Sequence, residues 1–130
     1  MKNIFNIGDS KIFTTMVKPE DSAKFNGKEV HPVCATYALA RDIEWSSRLF
    51  VIEMKDDDEE GIGTMLTIDH RSPALVGDEL AITAIISEMN GHELICEYVA
   101  KVGDRVVAIG KTGQKILKKE KVERLFSELK

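Results

Sequence analysis

Thr36, Glu44 and His70 are the residues whose types and spacing could do chemistry. Thr36 and Glu44 lie eight residues apart within CATYALARDIEW, and His70 closes GIGTMLTIDH a further 26 residues on. A hydroxyl, a carboxylate and an imidazole together can attack and cleave an activated acyl group. Each also has a plain structural reading. A Thr at a helix start is a common cap. A Glu on a helix face pairs with a base at i+4, here Arg48. A His at a strand end is often only structural.

The elements that must position these groups can be read from the pattern. Lys11 to Lys18 alternates as a strand, and PEDSAKFNGKEVHP after it reads as a loop with one helical turn. From Val33 to Met54 the apolar period is helical, with Leu39, Ile43, Phe50 and the small Ala35 and Ala38 on one face. Pro32 suits the helix start. The acidic run DDDEE ends the helix and carries the chain across the surface. Four strands follow, over residues 63–71, 79–89, 93–102 and 105–117. Asn90-Gly91 and Gly103-Asp104 supply hairpin turns. The last segment sets Val122, Leu125, Phe126 and Leu129 on one face of a terminal helix, docked on the body or on a partner. One long apolar helix followed by an antiparallel meander gives an α+β fold, with the sheet curled around the helix. Long edge strands favour pairing with a second copy.

At 130 residues, 43% hydrophobic and 31% charged, the chain fits one domain over residues 1–130 with a real core. A net charge of -4 argues against a nucleic-acid partner, which requires a basic footprint. No apolar run has the length of a membrane span, and the N-terminus lacks a leader's apolar stretch, so a cytoplasmic location is expected. Cys34 and Cys96 form no CxxC pair and are expected as buried free thiols. Neither they nor His31 and His92 have zinc-ligand spacing. There is no phosphate-binding or dinucleotide loop.

The stretch from Thr67 to Leu117 resembles the sheet pattern of the hotdog fold of acyl-CoA thioesterases. It has a strand, a Pro-containing turn ending in Gly77-Asp78, and long strands joined by Gly turns. The resemblance is more specific to the fluoroacetyl-CoA thioesterase-like family. Thr36 in VCATYA, Glu44 in IEWSS and His70 in LTIDHRSP match that family's Thr, Glu and His in type and spacing. GIGT matches its glycine lead-in, with Gly63 at the position that approaches substrate. The likeness covers about Val30 to Leu117. The chain departs from the fluoroacetyl-specific pattern in two places. NGKEVHPVCA before Thr36 holds no aromatic residue, and Gln114 stands where an Arg is expected. Both bear on the acyl group rather than on the triad.

The resemblance implies a hydrolase that cleaves a small or medium acyl-CoA thioester to the free acid and CoA. It implies a homodimer or tetramer, with coenzyme A only as part of the substrate and no metal or redox cofactor. Glu44 would be nucleophile or general base, its carboxylate desolvated by Trp45. Thr36 would be the nucleophile or would orient one, with helix-start N–H groups as an oxyanion hole. His70 would shuttle a proton to the departing thiolate, and Gly63 would lie against the substrate. Asp69 would point to the opposite face of the strand from His70. Two other readings use the same fold: a non-catalytic acyl-CoA-binding or sensing module, and a hydratase or dehydratase.

Overall fold

The computed structural model describes residues 1–25 and 28–130. Strand β1 (Ser10–Met16) leads to a 3-10 turn (Pro19–Asp21) and a hairpin of β2 (Ser22–Phe25) with β3 (Lys28–Cys34). The helix α1 (Thr36–Met54) follows, then β4 (Glu59–Leu66), β5 (Asp69–His70), β6 (Glu79–Asn90), β7 (Glu93–Val102), β8 (Arg105–Lys118) and α2 (Lys119–Glu128). The main sheet runs β1-β6-β7-β8-β4, all antiparallel, and β5 pairs with β8 beyond the end of β4. It curls around α1, as the sequence leads one to expect.

The core is the face of α1 carrying Ala38, Leu39, Ile43, Phe50, Val51 and Met54, all at most 1% exposed. It packs on the inward residues of the alternating strand β6, Leu80, Ile82, Ala84 and Ile86, and on Cys96, Tyr98 and Ala108 of β7 and β8. Period 2 in the strands meets period 3.6 in the helix, and each element buries one face only. At the hairpin joins Gly91 and Gly103 have φ of 62° and 58°, a conformation that glycine adopts without steric cost.

Four expectations need correction. The segment after β1 is not simply a loop with one helical turn. It holds that turn and a short hairpin whose register slips twice, between Ser22 and Ala23 and between Ala23 and Lys24, which erases a period-2 signal. Asn26 and Gly27, at its join, lie outside the described residues. Next, the helix starts at Thr36 rather than Val33. Cys34 N–H donates to Ala74 O (2.7 Å) and Ala35 N–H to Asp21 O (2.8 Å), so tertiary backbone bonds hold this stretch extended.

The acidic run is not all surface connection. Glu59 and Glu60 begin β4, and Glu59 is 2% exposed, accepting from Asp56 N–H at 2.8 Å. Finally, the strand expected over 63–71 is two strands, broken at Thr67 and Ile68. Tyr98 Oη donates to Thr67 O (2.7 Å), and Lys111 N–H donates to Thr67 Oγ1 (2.8 Å). Gly110 makes that approach feasible, since a Cβ there would stand 2.1 Å from Thr67 O.

Candidate active site

Glu44 sits in the middle of α1, on the flank that looks toward the β4 edge of the sheet. Its carboxylate reaches Gly63 of β4: a Cβ added at Gly63 would stand 3.1 Å from Glu44 Oε1. Gly63 pairs in register with Gln114 of β8, whose side chain points inward under the same turn of helix. These three residues line one cleft of about 450 Å³ with Arg41, Asp42, Trp45 and Arg48.

The cleft wall is tied together by hydrogen bonds. Gln114 Nε2 donates to Ser47 Oγ (2.9 Å) and toward Glu44 O (3.4 Å). Arg48 Nη1 donates to Gly61 O (3.1 Å), joining helix to strand. At the other end Arg41 bonds Asp42 through Nε (3.2 Å) and Asp21 through Nη2 (3.1 Å). The hydrogen bonds to Asp42 and then Asp21 hold the guanidinium further toward its charged form. Asp21 and Asp42 are themselves nearly buried, so this Arg fixes the 3-10 turn against the helix. Nothing in the sequence pattern marked Asp21 and Arg41 as partners 20 residues apart.

Two simple readings give way. Glu44 makes no ion pair with Arg48 or with any other base among the described residues, so its carboxylate is open to the cleft. Thr36 is not the helix cap: Ala35 holds that position, Thr36 is the first helical residue, and no side-chain cap bond forms. Leu39 N–H donates to Ala35 O (3.0 Å), which leaves the N–H groups of residues 36 to 38 ahead of the first intrahelical bond.

The structure brings Glu44 and Gly63 together within one chain and sets Thr36 and His70 apart from them. Thr36 is exposed two turns back along the helix, about 12 Å of rise from Glu44. His70 pairs with Ala108 on β8, six residues from Gln114, or roughly 20 Å along the strand. It lines a separate shallow depression with Arg71, Ser72 and Pro73. Asp69 does turn away from it, with its carboxylate on Arg71 Nε at 3.1 Å. Thr36 and His70 nevertheless share an end of the fold, because Cys34 N–H bonds Ala74 O there.

Both cysteines are buried and free. Burial, and then the charges of Asp21 and Asp42, pushes the Cys34 thiol up to about 11, which removes it as a nucleophile. Among the described residues no group of three or more His, Cys, Asp or Glu could hold a metal ion.

A long helix held in a curled antiparallel sheet, with a helix carboxylate over a strand glycine, defines the class: a hotdog-fold protein of the thioesterase superfamily. The chain is similar to a hypothetical Thermus thermophilus protein described as a thioesterase superfamily member. The identity is 31%, covering 98% of this chain and 94% of that one, with a TM-score of 0.90. The fluoroacetyl-CoA thioesterase FlK shares the fold at 18% identity and a TM-score of 0.87, with 95% of this chain and 96% of that one covered. A hot-dog-like protein from Thermanaerovibrio acidaminovorans does so at 16% and 0.86, with 95% and 92% covered. None of the curated proteins matches the chain. The chain belongs to the fluoroacetyl-CoA-specific thioesterase family, whose sequence profile matches residues 17–120. It is a thioester hydrolase acting on acyl-CoA.

Proposed function

We propose that this protein hydrolyses a small or medium acyl-CoA thioester to the free acid and CoA, as one catalytic domain over residues 1–130. The observation that carries the reading is the unpaired Glu44 carboxylate facing bare backbone at Gly63. A thioester carbonyl laid against Gly63 would have Glu44 as its nucleophile or as the base that activates water. The N–H groups at the start of α1 are oriented to receive an oxyanion, with Thr36 beside them. Coenzyme A enters as part of the substrate, and no step needs a metal or redox group. A solved complex of an FlK mutant contains fluoroacetate and CoA, which supports an acyl-CoA ligand here.

The working unit in this proposal is a homodimer, with a tetramer as a pair of dimers. The β4 edge is unpaired, and beside it α1 exposes Tyr37, Trp45 and Ile52, with Trp45 at 41% exposure. Antiparallel pairing of two β4 edges would set Glu44 of one copy near the Thr36 and His70 end of the other. Trp45 would then be covered, and Glu44 would lose water. His70 of the second copy would serve as the proton shuttle to the thiolate. Among the described residues no helix is long and apolar enough to cross a membrane. Two free cysteines fit a cytoplasmic location without membrane or nucleic-acid partners.

The test is thiol release from a panel of acyl-CoA thioesters by wild type, Glu44→Gln and His70→Ala. Each variant should lose about 100-fold or more in kcat. Mixing the two inactive proteins should restore part of the activity if the site is shared between copies. Equal turnover by all three proteins would refute the assignment of Glu44 and His70. Binding without turnover would favour the sensing module.

A further inference from the structure

Gln114 is 4% exposed, and its Oε1 has no hydrogen-bond partner among the described residues. The orientation of the amide is fixed by its surroundings. Ser47 Oγ–H donates to Glu44 O (3.1 Å), so Ser47 Oγ faces Gln114 as an acceptor. The amide nitrogen must therefore be the end that meets Ser47, and the oxygen is the end left over. A buried acceptor without a donor is costly, and native structures rarely keep one unless something else supplies the proton.

Arg48 lies next to this oxygen. Gln114 Oε1 and Arg48 Nη1 stand 3.6 and 3.4 Å from the same point, the Cβ position that Gly61 lacks. Arg48 donates to Gly61 O through Nη1, and its other N–H groups find no acceptor among the described residues. Both side chains line the cleft that holds Glu44 and Gly63. The cleft thus presents an acceptor without a donor beside a donor without an acceptor. An alkyl group answers neither. A carboxylate answers Arg48 but sets oxygen against oxygen at Gln114. A hydroxyl answers both, giving its proton to Oε1 and accepting from Arg48.

We propose that Gln114 and Arg48 select acyl groups that carry a hydroxyl, so that the substrate is a short hydroxyacyl-CoA. This deepens the thioesterase reading and rests on it. Selection of this kind is strong because the unhydroxylated analogue leaves the buried amide oxygen unpaired.

The test compares matched pairs: lactyl-CoA with propionyl-CoA, and 3-hydroxybutyryl-CoA with butyryl-CoA, the hydroxyacyl members as both enantiomers. Wild type should prefer the hydroxyacyl member of at least one pair by about tenfold or more in kcat/KM. In Gln114→Met the preference should fall to within about threefold. Equal kcat/KM in wild type overturns the proposal, and means that water, CoA itself or a second copy supplies the proton. A preference that survives Gln114→Met also overturns it. Should that variant not fold, Ser47→Ala carries the test by freeing the amide from its anchor, and an unchanged ratio there overturns the proposal. If wild type hydrolyses none of the four, the thioesterase reading fails. Calorimetric binding of the same four then decides on Gln114 alone, with tighter hydroxyacyl binding supporting selection and equal affinities overturning it.

Discussion

Gly63 leaves 3.1 Å between the position of its missing Cβ and Glu44 Oε1. A strand glycine and a helix carboxylate thus share a space large enough for a flat acyl group and little else. Gly63→Ala puts a methyl there. The carboxylate is the flexible end of a side chain and can swing aside, so the fold survives. We expect kcat/KM to drop by about 10- to 100-fold, with Tm lowered by no more than about 3 °C. Steady-state kinetics beside a thermal melt checks both. A large fall in Tm would mean that the glycine serves packing rather than substrate.

Gly110→Ala should behave in the opposite way. Its Cβ would meet Thr67 O at 2.1 Å and Tyr98 Oη at 2.8 Å, and a backbone carbonyl cannot rotate away. The break between β4 and β5 depends on this contact. Urea denaturation should show a loss of about 3 kcal/mol. A loss under about 0.5 kcal/mol would show that Thr67 relaxes freely.

Arg41→Met strands two carboxylates that are nearly buried, Asp21 and Asp42. Its guanidinium is 56% exposed, so solvent screens part of the attraction. The expected cost is about 1–2 kcal/mol, below that of a fully buried pair. Arg41→Lys should recover only part of it, because an ammonium lacks the fork that bonds both carboxylates. Denaturation midpoints of the two variants against wild type give the comparison.

Alkaline pH should unfold the protein earlier than its charge alone would. Burial pushes the Cys34 thiol up to about 11, the Cys96 thiol to about 12 and the Tyr98 phenol to about 12. Each group keeps its proton in the folded state after the unfolded chain has released it. The folded state then binds more protons, so stability falls as pH rises. The contribution is full below about pH 9, where the unfolded thiols begin to titrate. It is lost on the way to pH 12. Urea midpoints at pH 8, 9.5 and 11 should decline in that order. A flat profile across this range would contradict the burial of these groups.

The same thiols should resist alkylation in the native protein. Iodoacetamide at pH 8 should leave Cys34 and Cys96 unmodified by mass spectrometry, and both should react in urea. Rapid native labelling of Cys34 would return it to the list of candidate nucleophiles.

The meander β6 to β8 was legible within one residue at each end, because period 2 and glycine turns are local signals. The β2–β3 hairpin was not legible, since its register slips break the alternation. The split between β4 and β5 was equally hidden, because it is set by Gly110 some 40 residues downstream. In the site, nothing local to Glu44 or Gly63 says that they meet. Family likeness alone brought them together in the sequence. Gln114 was visible there only as a departure from a pattern. Its unpaired oxygen needed the fold, because Ser47 and Gly61 belong to other elements.

The ladder between β4 and β8 holds four glycines, and each is filled from outside: Gly61 by Val51, Gly63 by Glu44, Gly110 by Thr67 and Gly113 by Thr64. That floor is therefore nearly immutable, since any added carbon collides with a neighbour. Room for variation lies on the opposite wall, where Arg41, Trp45 and Arg48 reach in from the helix. Libraries aimed at a new acyl preference would yield mostly insoluble protein if built on the strands. Diversity placed on the exposed flank of α1 would redraw the cleft while leaving its foundation alone.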